Sequence, residues 1–152
     1  MKKFSFTLER VLEWRRAQAR QEEIKLERLY GELHALDARR DALRDQRRQA
    51  EAELRERPAR AGAALTGEDL GALSAFQNFT AAELGRLAQA RARCQQQIEI
   101  QTQVFVGHRR NAKLFEMLKQ ERLTAWLQES ERETGQQAEE SHTARWNREK
   151  AP

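Results

Sequence analysis

A chain of 152 residues with 34% charged residues, 7% aromatic residues and a mean hydropathy of −0.93 holds too little apolar material for a wide globular core, but enough to line a narrow helix–helix interface. Its richness in Ala, Glu, Leu, Arg and Gln, with only two prolines, belongs to long helices, and no run reaches the roughly 20 apolar residues that a membrane helix requires. The net charge of +4 arises within residues 1–67, which hold 16 Lys and Arg against 12 Asp and Glu, while residues 68–152 hold 12 against 12. Those cations are dispersed among acids, which reads as a solvated helix face before it reads as a nucleic-acid footprint.

In chain order, Phe4, Phe6 and Leu8 alternate with Ser5 and Thr7, either a short extended lead-in or a first helical turn. From Leu8, steps of four and three residues give Leu8, Leu12, Arg15, Ala19, Glu22, Leu26, Leu29, Leu33, Leu36, Arg40, Leu43, Arg47, Ala50 and Leu54. Ten of these fourteen are apolar, where the 39% hydrophobic content would place five or six. That excess marks a heptad seam that a disordered chain has no reason to keep. The register is lost at Arg57, Pro58 and Gly62, where the chain should turn. Thr66 and Asp69 then form a box-like helix start, with Leu65 placed to staple onto Leu70.

The second seam is Leu70, Leu73, Phe76, Thr80, Leu84, Leu87, Arg91, Cys94, Ile98, Gln101, Phe105, His108, Ala112 and Phe115, with a stutter around Thr80. Folding the chain about Gly62 pairs Leu54 with Leu70, Leu36 with Leu87, Leu26 with Ile98, Ala19 with Phe105 and Leu12 with Ala112. The expected fold is all-α: one long antiparallel two-helix coiled coil, a helical hairpin preferred to a parallel homodimer. Helix 1 spans about residues 5–57, the turn about 58–66, helix 2 about 67–140, and a frayed tail 141–152. Pairing should run out where residue 8 meets about residue 116, so helix 2 overhangs, and Trp126 and Leu127 are expected to lack an intrachain partner.

Catalysis finds no footing in this pattern, and no enzyme activity, cofactor or metal is expected. His34, His108 and His142 are dispersed, the glycines stand singly, and Cys94 lies on the seam beside Gln95, Gln96 and Gln97, which supply no base. One cysteine excludes an internal disulfide and fits a reducing compartment. The Lys2, Lys3 opening leads into a charged helix instead of an apolar signal region, so a cytoplasmic location is expected.

Three features are hard to explain as core. Arginine occupies seam positions 15, 40 and 47, where leucine would pack better, although its stem can lie on the core. The register gathers Arg15, Arg16 and Arg20 with Arg109, Arg110 and Lys113, either balanced by Glu9, Glu13 and Glu116 or left as a docking site for an acidic surface. Phe76 fits the seam while Phe79, three residues on, sits at its edge with no third layer to cover it, which leaves either residual partial burial or a partner-binding patch.

The opening Phe4-x-Phe6-x-Leu8-Glu9-x-Val11-Leu12-x-x-Arg15 resembles the amino-terminal signature of the FliJ family of flagellar type III export proteins. The Leu70 to Leu84 stretch with Phe76 and Phe79, and Gln136-Gln137-Ala138-Glu139-Glu140 followed by Arg145-Trp146, resemble its later segments. The tail departs from the family pattern, which tends to have a lysine and a leucine leading into Asp-Glu.

The resemblance implies a non-enzymatic stalk, monomeric when free, that inserts into the hexameric export ATPase. It implies that the stalk promotes ring assembly and couples the ring to the cytoplasmic domain of the export gate, escorts export chaperones, and associates peripherally with the inner membrane at the flagellar base. It assigns Arg15, Arg16, Arg109, Arg110, Trp126 and Leu127 to the ring-docking end, and Leu73, Phe76 and Phe79 to the gate-docking flank. No nucleic-acid partner is then expected. The alternatives are an injectisome stalk of the same architecture, a general scaffold, or a nucleic-acid-binding coiled coil suggested by the pI of 9.6.

Overall fold

The computed structural model describes residues 3–62 and 64–150. It contains two helices, α1 (Glu9–Ala61) and α2 (Gly67–Glu149), packed against each other as an antiparallel hairpin, with no strand among the described residues. All fourteen positions of the first seam, Leu8 to Leu54, are buried or half-buried, as are those of α2 except Leu70, which is exposed. The heptad line is therefore the buried line.

The helix bounds differ from the sequence expectation at three places. α1 begins at Glu9 instead of about residue 5, because the Phe4–Leu8 stretch stays non-helical until Glu9 N–H donates to the Phe6 carbonyl at 3.1 Å and Leu12 N–H to Leu8 at 2.9 Å. Pro58 does not end α1, which runs on to Ala61. Proline's fixed φ is itself helical, and in the last turn its missing N–H removes only one bond. The turn is made instead at Gly62, whose φ of 62° is the left-handed conformation that closes a helix, with its N–H donating to the Pro58 carbonyl at 3.1 Å. α2 continues to Glu149, beyond the expected end near residue 140. The single Gly135 weakens a helix by only about 1 kcal/mol and does not break this one.

The start of α2 is the expected reciprocal cap. Asp69 N–H donates to Thr66 Oγ1 at 3.2 Å, and Thr66 N–H donates back to Asp69 Oδ2 at 3.1 Å. The Thr66 bonds, followed by the Arg57 charge, hold the Asp69 carboxyl below its ordinary value. Leu65 and Leu70 remain exposed and line an open groove with Leu54 and Leu73, so the staple covers little.

Contacts divide the chain into two compact units, Gln21–Phe105 and the combination of Met1–Arg20 with Val106–Pro152. In the first unit, register is fixed by polar pairs set into the apolar line. Glu22, 8% exposed, accepts from Gln101 Nε2 on both its backbone oxygen (3.1 Å) and its carboxylate, and also from Lys25 Nζ at 2.9 Å. Cys94 Sγ donates to the Leu29 carbonyl at 3.4 Å. Asp37 accepts from Arg91 at 2.7 Å, a bond that pulls its carboxyl below the usual value. These partners lie one to a few residues from the pairing expected about Gly62. Partly buried polar pairs of this kind contribute more to register than to stability, since sliding the helices would break them.

In the second unit the core is Phe6, Leu12 and Ala112, each at most 7% exposed. Here the pairing reaches further than the sequence suggested. Lys119 bonds Glu9 at 2.7 Å, Arg122 lies over the Phe6 ring at 5.6 Å, and the Phe4 and Trp126 rings meet at 5.9 Å. Trp126 therefore has an intrachain partner, contrary to the expectation. The physical reason is the non-helical lead-in. A helix advances only about 1.5 Å per residue, so residues 4–8, which are not coiled into helix, cover more of α2 than a helical turn would. Beyond Ser130, residues 131–149 of α2 are helical and exposed throughout.

Candidate docking surfaces

Heptad geometry gives the hairpin two distinct edges. A residue just before a seam position lies about 100° to one side of it, and a residue just after lies about 100° to the other. In an antiparallel pair, preceding residues of one helix share an edge with preceding residues of the other. The contacts obey this rule. Arg39 and Glu83, each preceding a seam residue, meet at 4.0 Å, while Arg57, just past the end of the first seam, reaches Asp69, which precedes Leu70, at 2.7 Å. Arg16 and Glu116, each following one, bond at 2.8 Å, and Glu51 and Gln77, likewise following, at 3.0 Å.

Applied to the unit containing the chain's two ends, the rule separates the arginines that the sequence grouped together. Arg16 and Arg109 follow Arg15 and His108 and stand on one edge, joined there by Arg20 and Lys113. Arg16 is neutralised by Glu116, whereas Glu9 is taken by Lys119. Arg109, Arg20 and Lys113 are exposed and make no ion pair among the described residues. Arg110 lies two positions before buried Ala112, about 200° round the helix, and points away from the interface. Arg15 is half-buried on the seam, and its guanidinium lies 4.9 Å from the Trp14 ring centroid. Its Nε is buried without a hydrogen-bond partner, as is Nδ1 of His108. Trp126 is half-buried against Phe4, while Leu127 is exposed. The six ring-docking candidates thus share one unit but not one face.

Leu73 and Phe76 are half-buried and help line a groove of ≈ 530 Å³ near the turn. Ala50, Leu54 and Ala72 complete its apolar lining, and Glu53, Glu56, Arg57 and Asp69 its polar part. Phe79 precedes the fully buried Thr80 and is 60% exposed, on the edge where Arg57 and Asp69 meet. Leu73, Phe76 and Phe79 thus form a stripe running out of the groove along α2. The sequence reading did not anticipate the acid on its rim, although Glu53 and Glu56 each stand one or two places from a seam or turn residue.

Other chemistry is sparse. No cluster of three or more His, Cys, Asp or Glu able to hold a metal occurs among the described residues. Cys94 is 5% exposed, a small buried hydrophobe with a weak S–H bond. No helix of the described residues is long and apolar enough to cross a membrane. No protein-family model, curated protein or solved structure matches the chain.

Proposed function

We propose that this chain is a non-enzymatic stalk of a bacterial type III export apparatus, as its resemblance to the FliJ family implies. In this reading the unit containing the chain's ends enters the export ATPase hexamer. The Leu73, Phe76 and Phe79 stripe meets the cytoplasmic domain of the export gate, and export chaperones are further partners. The protein works in the cytoplasm, held peripherally at the inner membrane.

The packing of the opening signature is the observation that supports it. Phe6 is buried, Leu12 is fully buried, and Phe4 rests on Trp126, so the residues that carry the resemblance close the hairpin where α2 goes on alone to Glu149. A stalk needs such an end, slender and charged, to pass into a ring. The exposed Arg20, Arg109 and Lys113 favour an acidic lining there.

The same cations support the rival reading of a nucleic-acid-binding coiled coil. Two titrations separate the readings. The stalk predicts that the chain raises hydrolysis by a purified export ATPase, saturating near one chain per ring, and binds duplex DNA or RNA negligibly at physiological salt. The rival predicts nucleic-acid affinity that falls steeply with salt and no effect on the ATPase.

A further inference from the structure

The edge opposite Arg16 and Glu116, in the same unit, is apolar. Val11 and Trp14 precede Leu12 and Arg15 on α1, and Leu114 precedes Phe115 on α2, with half-buried Leu118 one turn on. Val11, Trp14 and Leu114 are 37%, 54% and 62% exposed. The other residues that precede the seam there are Thr7, Gln18, Gly107 and Asn111, and a single carboxylate, Glu121, stands one heptad past Leu114 at the edge's end. Arg15 borders it, stacked on Trp14 at 4.9 Å and bonded to no acid among the described residues, with its Nε left without an acceptor, and exposed Arg10 and Arg110 stand one turn from Trp14 and Leu114. An unneutralised guanidinium held against an exposed indole, beside uncovered leucine, is a site lacking both an apolar cover and an anion.

We infer that this edge receives an amphipathic helix from a partner protein, one whose apolar stripe is flanked by a carboxylate that meets Arg15. Apolar residues at helical spacing would cover Val11, Trp14 and Leu114 along the groove between α1 and α2. A carboxylate at the stripe's border would complete the guanidinium. This surface is separate from the cationic edge used in the proposed function, and the two stand or fall independently.

The test uses the full chain and a synthetic three-heptad helical peptide with leucines at seam spacing and glutamates at both borders. A twin peptide carries lysines in place of the glutamates. Binding is followed by fluorescence anisotropy of the labelled peptide at physiological salt. The glutamate peptide should bind at least about tenfold more tightly than its twin. Leu114→Asp and Trp14→Ser, both at exposed positions and checked for unchanged helicity, should abolish binding. Arg15→Met should keep binding but remove the preference for glutamate, whereas Arg16→Gln with Arg109→Gln, on the other edge, should leave that preference in place. Failure of the glutamate peptide to bind, equal binding to the Leu114→Asp chain, or a preference that survives Arg15→Met overturns the inference. So does sedimentation showing that the parent chain dimerises through this edge and that Leu114→Asp makes it monomeric, since the occupant would then be a second copy.

Discussion

Leu12→Ala is the most informative single truncation. Leu12 is fully buried and, with Phe6 and Ala112, makes up the core of its unit. Removing its isobutyl group loses the transfer free energy of the buried methyl and methylene groups and leaves a cavity that the neighbours fill only in part. Leu→Ala changes of this kind cost about 2–5 kcal/mol. A two-helix interface has no third layer, so water can reach a vacated site more easily than in a globular core, and we expect about 3 kcal/mol, within that range. The two units can respond separately, so global melting alone is a poor readout. Amide hydrogen exchange resolved by peptide is the better assay. Protection should fall by about a hundredfold within residues 9–20 and 106–119, on the rule that 1.4 kcal/mol is a tenfold change, and much less within 29–98. A uniform loss, or a change below about tenfold in the first set, would refute the assignment of Leu12 to a core of its own unit.

Four further outcomes follow from the same contacts. Ile98→Ala, at 8% exposure, should cost about 2–4 kcal/mol, while half-buried Leu29→Ala should fall at or below the lower end of that range; urea unfolding followed by circular dichroism would rank them, and the opposite ranking would contradict the burial described. Gln101→Ala should destabilise more than its exposure suggests, because it removes the cross-helix hydrogen bond to the buried Glu22 carboxylate, whose Lys25 bond comes from its own helix; rescue by Glu22→Leu in the same chain would confirm the pairing, and additive losses would deny it. The folded-state carboxyls of Asp37, Glu51 and Asp69 are lowered by hydrogen bonds from Arg91, Arg47 and Thr66 respectively. Their stabilisation is thus complete above the unfolded-chain values and is lost as pH falls through about 4 and below, so the melting temperature should drop on acidification and drop less in an Asp37→Asn, Glu51→Gln variant. Cys94 should react with a thiol reagent only as fast as the chain opens, so its labelling should accelerate in Ile98→Ala and stay slow in the parent.

Much of the fold could be read because a heptad is a strong one-dimensional signal. The α1 seam and all of the α2 seam but Leu70 were visible as spacing alone, and the Thr66 and Asp69 cap as residue type. What escaped were features set by tertiary contact or backbone geometry. Nothing in Phe4 by itself says that it will reach Trp126, since that depends on whether residues 4–8 coil into helix. Pro58 looked like a terminator because proline opposes helix interiors, yet in the last turn the penalty is small and Gly62 makes the turn.

The candidate sites were legible as clusters but not as faces. Counting cations placed Arg15, Arg16, Arg109 and Arg110 together. Only the alternation of edges around the seam shows Arg16 and Arg109 on one side, Arg110 facing outward, and Arg15 committed to Trp14. The apolar edge of Val11, Trp14 and Leu114 could have been found by listing residues one position ahead of each seam residue on both helices, a signal that needs the antiparallel pairing before it means anything.

The central claim is that the unit containing the chain's ends enters an export ATPase ring. A photo-crosslinking residue at exposed Leu127 compared with one at exposed Gln46, far along α1 in the other unit, tests it most directly in the presence of the assembled ATPase. The account predicts adducts with the ATPase from position 127 and few or none from position 46, with the adducts from position 127 reduced when Arg20, Arg109 and Lys113 are replaced by Gln. Adducts from position 46 alone, or equal yields from both positions that survive the triple replacement, would contradict it.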